Sequence, residues 1–97
     1  MNKLVPPYFA VIFTSTLKDD FPEYHQMAQK MEALVKRQPG FLGMDSARDK
    51  KGITISYWDS LEAIDFWKNN SFHLEAKSLG KTKWYKHFSI KICKVIG

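Results

Sequence analysis

The sequence predicts an α+β domain of ferredoxin-like order, strand–helix–strand–strand–helix–strand, with a four-stranded antiparallel sheet and its helices on one face. Three observations carry this. Runs rich in β-branched and aromatic residues sit near both ends of the chain, at 8–14 and 87–96. Between them lie two stretches whose apolar residues recur at three-to-four spacing. A hairpin pattern separates those two stretches. At 97 residues the chain is read as a single domain, 1–97, whose first seven residues form a loose arm ending at Pro6-Pro7.

Tyr8 to Thr14, "YFAVIFT", is the first strand, and both of its alternating sets are largely apolar. A strand apolar on both faces needs cover on both. The stretch "DDFPEYHQMAQKMEALVKRQPG" follows as an amphipathic helix. Asp19 or Asp20 is placed to cap it, Pro22 suits its first turn and Glu23 its positive end. Tyr24, Met27, Ala28, Met31, Leu34 and Val35 make its buried stripe, and Pro39-Gly40 stops it. His25 beside the stripe is read as surface.

Phe41–Arg48 and Ile53–Trp58 then form a hairpin across the turn Asp49-Lys50-Lys51-Gly52, with Gly52 offering a positive φ. Asp59 or Ser60 caps a second helix, and Glu62 is spaced for a capping box with Asp59. Its inner side is Leu61, Ile64 and Trp67. Asn69-Asn70-Ser71 interrupts the pattern, with Asn70 or Ser71 as a fresh N-cap. The helical piece "FHLEAKSLG" closes at Gly80 in the role of a C-terminal glycine. "KTKWYK" connects to a last strand, "HFSIKICKVI", with Phe88, Ile90 and Ile92 on one face. Helices on one face leave the other face of the sheet bare. A large apolar patch there calls for a second copy packed sheet to sheet, a homodimer.

Composition narrows the function classes. Hydrophobic residues are 44% and charged residues 26%, ordinary for a globular chain. No apolar run approaches the roughly 20 residues of a membrane span, and the N-terminal stretch does not read as a signal peptide. The expectation is a cytoplasmic protein without membrane partners. Cys93 is alone, so it can form neither an intrachain disulfide nor a thiolate cage, though a redox role stays open. The net charge is +5, with Lys77, Lys81, Lys83, Lys86, Lys91 and Lys94 late in the chain. These lysines are spread rather than blocked, which reads as a solubilising surface. The βαββαβ order and basic charge also raise RNA binding. However, Lys51-Gly52-Ile53-Thr54-Ile55-Ser56-Tyr57-Trp58 puts isoleucine where an RNA-recognition motif stacks bases on aromatic rings. No nucleic-acid partner is expected.

Pro39-Gly40-Phe41-Leu42-Gly43, Tyr57-Trp58-Asp59-Ser60, the Glu62–Lys68 helix, His73-Leu74-Glu75-Ala76 and Trp84-Tyr85 give the chain a resemblance to a known family. From about Tyr8 onward it resembles the antibiotic-biosynthesis monooxygenase superfamily, the dimeric α+β barrels. That resemblance implies a homodimer with a pocket between helices and sheet, for which residues 66–76 form one wall. It also implies a range of activities: cofactor-independent oxygenases of quinols and anthrones, and haem-degrading enzymes. The haem-degrading branch uses an asparagine on the first strand, a tryptophan on the second helix and a histidine about three turns later. Trp67 matches. The first strand has no asparagine, and Lys77 stands ten residues after Trp67, with His73 one turn earlier on the same face. Haem is therefore the minority alternative, and no cofactor is the expectation.

His73 is the candidate base, since an imidazole moves protons near neutrality. The bland alternative is a histidine that fixes the restarted helix by bonding a backbone carbonyl. Tyr57, Trp58, Trp67, Trp84 and Tyr85 are candidates for an aromatic ligand's slot, each also readable as core, and Tyr85, the Trp67 indole N–H or Lys77 is the candidate to hold an oxyanion. Asn69 and Asn70 are read as caps. The two function classes are an oxygenase of a small aromatic molecule and a non-catalytic dimer that binds a small ligand or haem. The sequence holds no GxGxxG loop for a flavin and no metal cluster.

Overall fold

In the computed structural model, which describes residues 4–97, the strands are β1 (Tyr8–Leu17), β2 (Phe41–Arg48), β3 (Lys51–Trp58) and β4 (Tyr85–Val95). The helices are α1 (Pro22–Val35), α2 (Leu61–Lys68) and α3 (Ser71–Leu79), with a π-helical turn at Gly80–Trp84. One sheet in the order β2-β3-β1-β4 has every neighbouring pair antiparallel. This is the expected ferredoxin-like α+β arrangement. The first three residues of the expected arm lie outside the described residues. Among the described residues no helix is long and apolar enough to cross a membrane.

Several local expectations are corrected. β1 runs on to Leu17, because Ser15 and Thr16 pair on both sides, with Gly52 and Lys51 and with Phe88 and His87. Neither aspartate caps α1: Phe21 holds the N-cap position without a side-chain bond, and Asp20 instead meets His25 Nε2 at 2.9 Å. The hairpin turn is shorter than expected, since β3 begins at Lys51. Gly52 has no positive φ and lies within the strand, where a Cβ would strike the Arg48 guanidinium. The glycine with positive φ is Gly40, at 81°, packed against Asp59 and Ala63 at the start of α2.

Ser60, not Asp59, caps α2, accepting from Ala63 N–H at 3.1 Å. With Ser60 at the cap, Ala63 occupies the third helical position, and Glu62 falls out of register for the box. Gly80 does not terminate α3 in a left-handed turn: its φ is −59° and the chain winds on as the π turn. Its missing Cβ instead admits Tyr85, whose Cε2 would lie 2.6 Å from such an atom.

The core decides which face of β1 turns inward. Val35, Trp58, Ala63, Ile64 and Trp67 form one buried cluster, and Phe9, Val11, Met31, Leu34, Phe41 and Met44 pack on it. The Phe9–Val11–Phe13–Ser15 set therefore faces the helices. Tyr8, Ala10 and Ile12 lie on the open face with Ile53, Ile55 and Tyr57. That face is mixed rather than uniformly apolar. Thr14 and Ser89 hydrogen bond at 2.9 Å, and the Tyr57 hydroxyl donates to Asp45 at 2.8 Å. Lys91 stands opposite Ile12.

Cross-strand partners share a face, so Phe88, Ile90 and Ile92, opposite Ser15, Phe13 and Val11, project to the helix side. Ile90 remains 48% and Ile92 51% exposed. The helix layer thus leaves an apolar strip of edge strand β4 uncovered.

Candidate active site

The link between α2 and α3 is built by two asparagines. Asn69 ends α2, its side-chain amide donating to the Asp65 carbonyl at 2.9 Å. Asn70 begins α3: its Oδ1 accepts from Phe72 N–H at 3.0 Å and from His73 N–H at 3.2 Å. Two otherwise orphaned helix donors are thereby satisfied.

This cap places His73 back over α2. Its ring stacks on the Trp67 indole with centroids 4.4 Å apart and planes 17° from parallel. Its Nδ1 lies 3.0 Å from the Trp67 carbonyl. A carbonyl oxygen only accepts, so Nδ1 carries the proton and the neutral ring presents a lone pair at Nε2. Burial holds the imidazole below its ordinary pKa, opposed by the bond to Trp67 and assisted by the charge of Lys77. Lys77, one turn along α3, is itself pushed down by partial burial and by the ammonium groups of Lys68 and Lys81. The carbonyl bond foreseen as the structural alternative is present, and it occupies only one of the two ring nitrogens.

The other candidates divide. Trp67 is buried against the core while its face carries the imidazole. Trp58 is fully buried at the centre of that core, edge-on to Phe41, with its indole N–H donating to Ser56 Oγ at 2.9 Å. Its ring offers no surface to a ligand, which corrects the expectation that it lines a slot. The reason is its place opposite Phe9 on the inward face, under α2. Past the far end of α3, Trp84 closes the π turn and Tyr85 opens β4. Trp84 is edge-on to Tyr24 at 5.4 Å and only 3% exposed. Tyr85 packs on Phe13 at 5.4 Å and on Phe88 at 6.1 Å, and its hydroxyl donates to Tyr24 at 3.4 Å. Burial raises its phenol well above the usual range, so it stays a neutral donor. Helix α3 thus leads from the His73–Trp67 pair to the Trp84–Tyr85 pair.

Sequence reasoning missed Ser15, Tyr24 and Arg48, which surround Tyr85. The signal was faint: a small polar residue on the inward face of a central strand, and an arginine opposite a glycine.

A model of the family described as antibiotic biosynthesis monooxygenase matches residues 7–78. The chain belongs to this family. It is 44% identical over 92 residues to the uncharacterized protein YqjZ of Bacillus subtilis, covering 93% of this chain and 81% of that one. Among solved structures it is similar to SnoaB, a cofactor-independent oxygenase from Streptomyces nogalater. That match has a TM-score of 0.79 at 14% identity, over 95% of this chain and 96% of the other. A conserved protein from Methanosarcina mazei also has a TM-score of 0.79, at 12% identity, over 90% and 91% of the two chains. At such identities the structural likeness is one of fold.

Proposed function

We propose that this family member is a cofactor-independent monooxygenase of a small aromatic quinol- or anthrone-like substrate, with His73 as its base. The observation that carries the reading is the fixed tautomer of His73. A half-buried, neutral imidazole with Nδ1–H tied to a carbonyl keeps Nε2 free to take a proton. The uncovered strip of Phe88, Ile90 and Ile92 provides apolar surface for a flat ring, and Tyr85, packed on Phe88, is its proposed aromatic neighbour.

The chemistry asks little beyond this. Removing a proton from the substrate's acidic carbon or hydroxyl leaves an electron-rich anion that transfers one electron to dioxygen. The resulting radical and superoxide combine, and the hydroperoxide loses water to leave a carbonyl. One oxygen atom enters the product and the other leaves as water, with both electron pairs drawn from the substrate. In this reading Lys77, one turn after His73, holds the developing oxyanion. A second copy on the open sheet face completes the reading, supported by Tyr8, Ile12, Ile53 and Ile55 there.

Oxygen uptake with a panel of quinols and anthrones tests it, run beside His73→Ala. Uptake with one substrate that collapses in the variant is the expected result. Uptake equal to substrate autoxidation in the native protein overturns the oxygenase. Because the same Nε2 lone pair suits iron, a haem titration read by a Soret shift, lost in His73→Ala, identifies the alternative ligand-binding protein.

A further inference from the structure

The base and its apolar strip leave one constellation unused, where β1 runs out beneath the N-terminus of α1. Ser15 is buried there, 2% exposed, and Gly52 stands between it and Arg48 in the sheet. The Arg48 side chain crosses the bare Gly52 backbone. Its Nη2 donates to Ser15 Oγ, and its Nη1 donates to the Ser15 carbonyl at 3.4 Å. The guanidinium carbon sits 5.5 Å from the centre of the Tyr24 ring. Tyr24 in turn accepts from Tyr85, and beside it the buried indole N–H of Trp84 has no hydrogen-bond partner among the described residues.

The balance of charge and donors is one-sided. The ion pairs among the described residues are Asp20–His25, Glu32–Lys36 and Glu23–Lys83, so no carboxylate meets Arg48. Arg48 as a residue remains exposed, and a guanidinium has five N–H groups, of which Ser15 takes two. The hydroxyl of Tyr24, having accepted from Tyr85, still has its own proton to donate. A held cation and a phenol with a proton to donate stand side by side, and no carboxylate among the described residues pairs with the guanidinium. Phe13 and Phe88 connect this corner to the apolar strip on β4.

We propose that Arg48, with Tyr24 beside it, forms a carboxylate-binding subsite that anchors an acidic group on the aromatic substrate. The planar fork of a guanidinium matches a carboxylate. The proposal rests on the oxygenase reading for the nature of the substrate, and adds that the substrate carries an acid. Gly52 is part of the device, since its missing side chain is what lets Arg48 lie across the sheet.

The test is a fluorescence titration of the intact protein with hydroxynaphthoate and with naphthol, which differ only by the carboxylate. The native protein is expected to bind the acid about tenfold or more tightly than the neutral phenol, as a charge-assisted hydrogen bond allows. Added salt should weaken the acid alone. Arg48→Gln should abolish the preference and leave naphthol binding unchanged. Gly52→Ala keeps the charge but puts a methyl where the guanidinium lies, and should also abolish it, which decides the matter if Arg48→Gln fails to fold. No preference in the native protein, or a preference that survives either folded variant, overturns the subsite. Oxygen uptake with an uncharged quinol reports separately on the oxygenase. Its absence alongside an intact preference overturns that activity and leaves the subsite standing.

Discussion

Replacing Asn70 by alanine tests whether the helix restart is what positions the candidate base. In the native chain the Asn70 carbonyl oxygen of the side chain accepts from two backbone amides, those of Phe72 and His73. Alanine removes both bonds and leaves the backbone bond from Leu74 N–H to the Asn70 carbonyl, 2.9 Å, in place. Loss of such a cap costs about 0.5–2 kcal/mol. Both amides are partly buried, so water replaces the acceptor poorly, and the upper half of that range applies: about 1–2 kcal/mol. For a domain of this size, a loss of about 1 kcal/mol lowers the melting temperature by roughly 4–8 °C. Asn70→Asp retains the acceptor and adds a charge favourable to a helix N-terminus, so it should melt near the native protein. Hydrogen exchange gives the local readout, with the His73 amide losing protection in the alanine variant ahead of the sheet amides. Native-like melting of Asn70→Ala, or equal damage from aspartate, would falsify the capping account.

Two further outcomes follow from the same geometry. Gly40→Ala should destabilise by about 2–4 kcal/mol, combining left-handed backbone strain with overpacking against Ala63 and Asp59; urea unfolding measures it, and a loss below about 1 kcal/mol would show that the turn relaxes. His73 is held below its ordinary value of 6.5, so between its folded pKa and 6.5 the unfolded chain binds more protons than the folded one. Its contribution to stability therefore falls as pH drops through that window, is constant above it, and levels off below the folded pKa. Comparing the native protein with His73→Gln between about pH 5 and 8 isolates this slope, and parallel curves would show that the imidazole is not held neutral by burial.

The reach of the sequence is clearest at the ends of elements. Asn70 could be read as a cap because its acceptor serves amides two and three residues away, and the break at Asn69–Ser71 in the three-to-four pattern announces it. Gly40 and Gly52 look alike as turn signals, yet only Gly40 takes a positive φ. What distinguishes them is an arginine that arrives across the sheet to bind Ser15, 33 positions away. Trp58 and Trp84 carry the same side chain, and neither composition nor spacing says that one fills the core while the other is left with an unpaired N–H beside Tyr24.

By itself, the sequence determined the order of elements, the stripe of α1 apart from Ala28, which is exposed, the restart at Asn70 and His73's place one turn before Lys77, all products of short-range periodicity and hydrogen bonding. Only the tertiary structure decided which face of β1 turns to the helices and that His73 spends Nδ1 on Trp67. It alone joined Ser15, Tyr24, Arg48 and Tyr85, because a strand with two apolar sets fits either way up until helices and neighbouring strands pack against it. Such contacts join residues as far apart as Tyr24 and Tyr85, 61 positions along the chain, and no local pattern encodes a meeting at that distance.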